Sequence, residues 1–492
     1  MSMIEVQDLT FAYEGSFDNI FENVTLRLDT DWRLGLVGRN GRGKTTFLNL
    51  LRGLYPYKGR ITASVPFDYF PFAIADADAS AGDAVQKACP NLEGWRLLRE
   101  MNRLRLDESL LERPFQTLSG GEQVKLLLAA LFSRDGHFLL IDEPTSHLDM
   151  EGRALVAEYL RSKQGFLLVS HDRAFLDGCV DHILSLNKTN IELQQGNFSS
   201  WFANKQRQDA FERAENERLR KDIRRLDEAA KRASAWSDRT EKEKHVRNSG
   251  LRPDRGYIGH KAAKMMQRAK SIEDRRENAA AEKQGLLHNI EIADDLKLSP
   301  LVYRTERLVE LGGVTVQYGD APVCENIRLS VRRGARIALT GPNGCGKSSL
   351  LKLIGGQDIP HTGEVTRGSG LQISYVPQDA SFLRGSLKDY ARACGIEESL
   401  FKAILRKLDF SRIQFEKDMA DFSAGQKKKV LIARSLCERA HLYLWDEPLN
   451  FIDVFSRMQI ERLLLSCRPT LLFVEHDRAF CETIATETAA LS

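Results

Sequence analysis

Gly38-Arg39-Asn40-Gly41-Arg42-Gly43-Lys44-Thr45 is the stretch on which the fold turns. Its spacing is G-x-x-x-x-G-K-T, set between the apolar run Leu34-Gly35-Leu36-Val37 and the helix-like run Thr46-Phe47-Leu48-Asn49-Leu50-Leu51. A buried strand, a glycine-rich turn and a helix in that order make a phosphate-binding loop. Gly38, Gly41 and Gly43 let successive backbone N–H groups converge on phosphate oxygens, where the helix N-terminus adds its positive end. Lys44 neutralises β/γ oxygens and the Thr45 hydroxyl is offered to Mg²⁺. Asn40 and Thr46 lie in the same stretch and join the expected nucleotide-binding set.

Downstream, Phe138-Leu139-Leu140-Ile141 runs into Asp142-Glu143. Two acids at a strand end are common, but four apolar residues directly before them mark a buried strand aimed at a site. Asp142 is expected in the Mg²⁺ shell, with Glu143 orienting or polarising the attacking water. A second apolar strand, Phe166-Leu167-Leu168-Val169, ends in Ser170-His171-Asp172, which makes His171 the candidate sensor of the γ-phosphate. Between them Leu118-Ser119-Gly120-Gly121-Glu122-Gln123 opens a helix. Ser119 and the Gly120 and Gly121 amides there form a second anion-binding surface.

The whole set returns in the second half. Gly341-Pro342-Asn343-Gly344-Cys345-Gly346-Lys347-Ser348, followed by Ser349, is a second loop. Phe422-Ser423-Ala424-Gly425-Gln426 follows, then Leu442-Tyr443-Leu444-Trp445 ahead of Asp446-Glu447, and finally Glu475-His476-Asp477. The offset is 303 between the lysines, 304 between the serines and between the glutamates, and 305 between the histidines. Constant offsets across four motifs mean a tandem duplication. The expected domains are therefore 1–200 and 301–492, with Glu447 and His476 catalytic and Ser348 and Asp446 at the metal.

The segment 201–300 reads differently. Leu219, Ile223, Leu226, Ala230 and Ala233 recur at steps of four and three, as do Ala262, Met265, Ala269 and Ile272. Such spacing predicts two long helices forming a coiled-coil hairpin from about Lys205. Gly250, Pro253, Gly256 and Gly259 interrupt it and place a tip at about 245–260. From Lys205 to Lys283 there are 23 Lys+Arg against 15 Asp+Glu, or +8, in a chain whose net charge is +3. A solvated coiled-coil face would also carry many charges. A basic rod on a slightly acidic body is, equally, the footprint of a nucleic-acid contact. Arg247, Arg252, Arg255 and Tyr257 at the tip are the residue types that bond phosphates and stack on unpaired bases.

The 492 residues, 42% hydrophobic and 28% charged, suit a globular protein of two or three domains. No apolar run approaches the ~20 residues that span a bilayer, and the opening Met1-Ser2-Met3-Ile4-Glu5-Val6 has no signal-peptide anatomy. Eight cysteines without paired spacing read as buried thiols in a reducing cytosol. Cys345 stands inside the second phosphate loop.

Leu118–Gln123, the D-E-P-T-S-H-L-D run from Asp142 to Asp149, and Ser170-His171-Asp172 resemble the ATP-binding-cassette (ABC) ATPases. The resemblance implies that the signature of one cassette caps ATP held by the other's phosphate loop. Ser119–Gly121 would then complete the Lys347 site, and Ser423, Ala424 and Gly425 the Lys44 site. It also implies adenine stacking on Tyr13 and Tyr318, and a nucleotide- and metal-contacting Gln378 in Tyr375-Val376-Pro377-Gln378. Three departures fall on the Lys44 side: Phe72 where the family has Gln (Tyr69-Phe70-Pro71-Phe72), Ala424 in the signature, and Leu449-Asn450-Phe451-Ile452-Asp453 after Pro448. Two unequal ATPase sites are expected, with the Lys347 site the more regular.

The expected fold class is α/β, two tandem P-loop ABC-type nucleotide-binding domains joined by a long α-helical hairpin linker. This organisation, without a membrane domain, looks like the ABC-F ATPases that act on the ribosome. The 38–44 loop, Tyr69–Phe72, Gly250–Gly256, the short span between Phe72 and Leu118 and the end of the chain at Ser492 look most like the antibiotic-resistance members, the Lsa group. Such likeness implies ATP and Mg²⁺ as cofactors. The implied partners are the 70S ribosome (50S rRNA near the E site) and P-site tRNA, with no membrane. It further implies a cytoplasmic monomer whose cassettes pair with each other, and protection against lincosamides, streptogramin A and pleuromutilins. A housekeeping ABC-F factor that rescues stalled ribosomes would share every cassette motif. A Rad50/SMC-type DNA ATPase would instead insert its coiled coil inside one cassette, and a transporter ATPase subunit would lack the basic probe.

Overall fold

The computed structural model describes residues 2–15, 19–90, 92–187, 190–243, 296–318 and 321–491, with Lys264, Gln267, Lys270, Ser271, Asp274, Arg275 and Asn278. Each cassette pairs a three-stranded antiparallel sheet with a larger, mostly parallel one. In the first cassette Met3–Phe11 is flanked by Phe21–Asp29 and Lys58–Ala63. The second sheet runs Phe67–Phe70, Phe138–Asp142, Phe166–Val169, Arg33–Gly38, His182–Leu186, Ile191–Gln195, antiparallel only at the last pair.

The second cassette repeats this order. Arg307–Tyr318 lies between Ala321–Arg332 and His361–Arg367. Its parallel sheet runs Ile373–Val376, Leu442–Asp446, Leu471–Val474, Arg336–Thr340, Glu487–Ala490. The central strands are apolar without alternation because both faces are covered, as parallel sheets require. Leu139, Leu140, Leu167, Leu168, Tyr443, Leu444, Leu472 and Phe473 are all buried. Each such side chain contributes about 1.5–3 kcal/mol when fully withdrawn from water.

The phosphate-loop strand Arg33–Gly38 sits between Phe166–Val169 and His182–Leu186, with Gly35 opposite both Leu168 and Ile183. This order puts the carboxyl ends of three neighbouring strands at one edge, where open α/β sheets bind ligands. Residues far apart in sequence (Lys44, Asp142, Glu143, His171) thereby converge.

The chain falls into two compact units, one of Met1–Leu186, Asn190–Ser199 and Ala293–Ser492, holding both cassettes, and a second of Asn187–Thr189 and Ser200–Ile292. The second unit contains most of one helix, Phe198–Glu243, of 46 residues, roughly 70 Å at the helical rise. That helix starts before Lys205, directly after the turn that follows the edge strand Ile191–Gln195. Leu219 is buried on it, and the described residues from Lys264 to Asn278 are helical and exposed. Leu296 and Leu298, which the 201–300 range assigns to the linker, pack into the core of the second cassette. The expected break at 248–259 and the tip residues Arg247, Arg252, Arg255 and Tyr257 lie outside the described residues.

Candidate functional site

The two phosphate loops are built alike. Gly43 and Gly346 cap their helices with φ of 89° and 86°. A Cβ on Gly43 would stand 2.6 Å from Ile20 Cγ2, so both space and backbone demand glycine there. Lys44 Nζ donates to the carbonyls of Gly38 (2.8 Å) and Arg39 (3.3 Å) and to Asn40 Oδ1 (3.3 Å). Lys347 Nζ donates to the carbonyls of Gly341 (2.8 Å) and Pro342 (2.7 Å). Each ammonium thus rests on its own loop, within reach of an incoming phosphate. Thr45 Oγ1 donates to Asp142 Oδ2 at 2.9 Å and Ser348 Oγ to Asp446 Oδ1 at 3.0 Å.

A hydroxyl beside a carboxylate is a donor set that Mg²⁺ accepts, and Asp446 Oδ2 is buried with no hydrogen-bond partner. A cavity of about 380 Å³ is lined by Gly120, Gly344, Gly346, Lys347, Ser348, Ser349, Gln378, Glu447 and His476, among others. The second phosphate loop, Ser348, Gln378 and a signature glycine of the other cassette therefore meet in one space, with Asp446 bonded behind Ser348, and these residues fit Mg²⁺ and ATP. Tyr13 and Tyr318 lie 44% and 48% exposed. Tyr13 Oη is 2.8 Å from Thr46 Oγ1, and Tyr318 Oη donates to Ser349 Oγ at 3.1 Å. Both rings are held beside their loops and stay partly exposed.

Glu143 and Glu447 follow their strands with φ of 50° and 46°, a left-handed conformation that costs a non-glycine residue energy and clusters at functional sites. His171 Nε2 lies 3.5 Å from Glu143 Oε1, and His476 Nε2 3.4 Å from Glu447 Oε1. The surroundings then diverge. Glu447 Oε2 accepts from Asn450 Nδ2 at 2.6 Å, while Glu143 Oε1 is buried without a hydrogen bond. Burial, then the Asp142 charge, pushes Glu143 up to about 8. Burial also pushes on Glu447, but hydrogen bonds from His476 and Gln378 outweigh it and hold that carboxyl below its ordinary value. Burial, then the Lys44 charge, keeps the His171 imidazole neutral well below its ordinary pKa.

The cassettes complete each other. Asn40 Nδ2 donates to the Phe451 carbonyl at 2.8 Å, and Asn343 Nδ2 to the His147 carbonyl at 3.3 Å. Each phosphate-loop asparagine thus holds the loop that follows the other cassette's glutamate. Gly425 packs against Asn40 and Phe451, and Gly120 against His147. Ser119 and Ser423 cap the signature helices Gly120–Phe132 and Ala424–Cys437, each in a reciprocal capping box with Glu122 or Gln426. That arrangement leaves the amides of Gly120 and Gly121, and of Ala424 and Gly425, at the helix start. Phe451 has φ 63°, so the departure at Leu449–Asp453 is one of backbone as well as sequence.

Sequence reasoning missed three groups. Tyr69 Oη donates to Asp142 Oδ2 at 3.1 Å. Asn450 holds the second glutamate. Arg153 and Arg457 each clamp their own loop, donating to Leu148 O and Asp172 Oδ2, and to Ile452 O and Asp477 Oδ2. Arg153 and Arg457 stand at the 304 offset of the glutamates, and that repetition could have flagged them. Asn450 has no counterpart, since Ser146 holds that place, so only the fold reveals it.

Two nucleotide-binding cassettes on one chain, each supplying the other's site, define a tandem ABC ATPase. The ABC transporter family model matches residues 21–146 and 324–450. The ATP-binding protein Uup of Caulobacter vibrioides is 30% identical over 504 residues, 96% of this chain and 74% of that one. The chain belongs to the ABC family, in its ABC-F group. The ribosome protection protein VmlR of Bacillus subtilis is 28% identical over 507 residues, 100% of this chain and 87% of its own. Among solved structures, an archaeal ribosome recycling factor, aABCE1, in complex with the ribosomal stalk protein aP1 superposes with TM-score 0.63 at 20% identity, covering 98% and 87% of the two chains. That likeness extends to the fold. Among the described residues, no helix is long and apolar enough to cross a membrane.

Proposed function

We propose that this chain is a cytoplasmic, ribosome-acting ABC-F ATPase that protects the peptidyl-transferase centre from lincosamides, streptogramin A and pleuromutilins. The observation that carries the reading is full-length likeness to a ribosome protection protein, linker included. Bound Mg·ATP supplies the phosphoanhydride bond whose cleavage resets the cycle. Lys44 and Lys347 leave their loop carbonyls for phosphate oxygens, and Thr45 with Asp142, and Ser348 with Asp446, hold the metal. Glu447, oriented by Asn450, His476 and Gln378, positions the attacking water. Glu143 has neither an asparagine nor a glutamine beside it, and Phe72 adds no ligand, so the Lys44 site is the slower one.

Closure of the cassettes is the protective stroke. It carries the basic linker against 50S rRNA near the E site and the P-site tRNA acceptor stem. Arg247, Arg252, Arg255 and Tyr257 then perturb the drug site, and hydrolysis releases the protein. The test is drug susceptibility of a sensitive Gram-positive host expressing the chain, beside a version with 247–257 replaced by a Gly/Ser turn. Raised inhibitory concentrations with the intact chain alone support the reading. Unchanged susceptibility, with both versions sedimenting with ribosomes, makes the protein a housekeeping translation factor.

A further inference from the structure

We propose that Arg173 is a positioning residue acting across the cassettes: through Glu461 it ties the histidine loop of the Lys44 site, and not that of the Lys347 site, to the opposite cassette. Arg173 is the first residue of the helix Arg173–Cys179, immediately after His171-Asp172. Its guanidinium grips Glu461 with two prongs, Nη1 to Oε2 at 3.1 Å and Nη2 to Oε1. The two side chains are only 16% and 9% exposed. Planar two-pronged pairs of this kind fix orientation as well as energy. Glu461 lies on Val454–Cys467, the helix that starts directly after the Leu449–Asp453 loop. A loop of the second cassette and the helix that follows it therefore hold the Lys44 site twice, at Asn40 through Phe451 and at the histidine loop through Glu461. Arg173 also faces Asp477, whose carboxyl is held down against burial first by Arg457, its hydrogen-bond partner, and then by Arg173.

The duplication supplies the control. Arg478, the counterpart of Arg173, bonds Glu482 on its own helix at 2.7 Å and is 72% exposed. The counterpart of Glu461, at the 304 offset of the glutamates, is Ala157, which carries no charge. A buried pair gains little over apolar packing, but losing one partner strands the other charge away from water. The tie is thus complete with the cassettes together, and its cost on opening falls on one site. The histidine loop of the Lys347 site carries no such two-pronged pair, and Arg173 reaches it only through the charge it sets beside Asp477.

This inference rests on the reading that both composite sites clamp ATP, and its test needs no ribosome or drug. Purified chain carrying Glu143→Gln and Glu447→Gln is loaded with labelled ATP, and release of trapped nucleotide is timed. Added Lys347→Met leaves only the Lys44 site, and added Lys44→Met only the other. Arg173→Ala should speed release from the Lys44 site by about tenfold or more and affect the Lys347 site less, because the pair with Glu461 bridges only the former and Arg173 meets the latter only as a charge beside Asp477. Arg173→Glu with Glu461→Arg should restore slow release, which a merely damaged fold would not. Equal acceleration at both sites, no acceleration, or no rescue by the exchange each overturns the proposal. If no nucleotide is trapped with Arg173 intact, the clamp reading falls and the proposal with it. A failed susceptibility test leaves the release measurement standing.

Discussion

Single residues separate the two sites more sharply than their shared motifs join them. Asn450 fixes Glu447 at 2.6 Å, so Asn450→Ala should slow ATP hydrolysis at the Lys347 site by up to about a hundredfold, the scale of one misplaced catalytic group, with nucleotide affinity little changed. A drop in affinity with turnover intact would place Asn450 in binding instead. The signature glycines differ in the same way. A Cβ on Gly425 would stand 2.4 Å from the Phe451 carbonyl oxygen, whereas on Gly121 it would stand 3.6 Å from that of His147. Gly425→Ala should therefore displace the Phe451 carbonyl that Asn40 of the other cassette holds and abolish nucleotide trapping at the Lys44 site, while Gly121→Ala is tolerated. Trapped-ATP counts read both. These contacts join Asn40 to Phe451 and Asn343 to His147 across 411 and 196 residues, beyond any spacing rule. The phosphate loops, acids and histidines, by contrast, were legible because each is a local pattern at a strand end.

At the scale of elements, the helix Phe198–Glu243 is the part whose length function would use. Its start at Phe198 instead of Lys205 follows from its direct continuation of the edge-strand turn, whereas the heptad-like spacing becomes visible only once the helix is under way. Glu228 is exposed on it, so Glu228→Pro touches no core yet removes a helical hydrogen bond and kinks the rod at a cost of about 3 kcal/mol. Drug protection should be lost while ATP trapping by the cassettes persists; loss of both would show that the linker also stabilises the cassettes. The +8 charge of residues 205–283 predicts that ribosome sedimentation weakens steeply between about 50 and 200 mM salt, as phosphate contacts do. Binding insensitive to salt would remove the electrostatic part of the reading.

For the whole molecule, duplication repeats one set of motifs, and divergence gives the two copies different neighbours. Lys347→Met should remove most ATP turnover and Lys44→Met a smaller share, measured on the purified chain; equal losses would mean that Phe72, Ala424 and the surroundings of Glu143 do not matter. The tandem cassettes, the candidate phosphate, metal and water-positioning residues and the basic linker between them can be read along the chain, because strand–turn–helix periodicity and constant offsets are properties of neighbouring residues. Which residues of one cassette meet the other emerges only on folding: Asn40 on Phe451, Asn343 on His147 and Arg173 on Glu461, whereas Arg478 stays on its own helix with Glu482. The physical reason is that packing at an interface depends on where two surfaces meet in space. Two copies of one motif, alike along the chain, find different partners there.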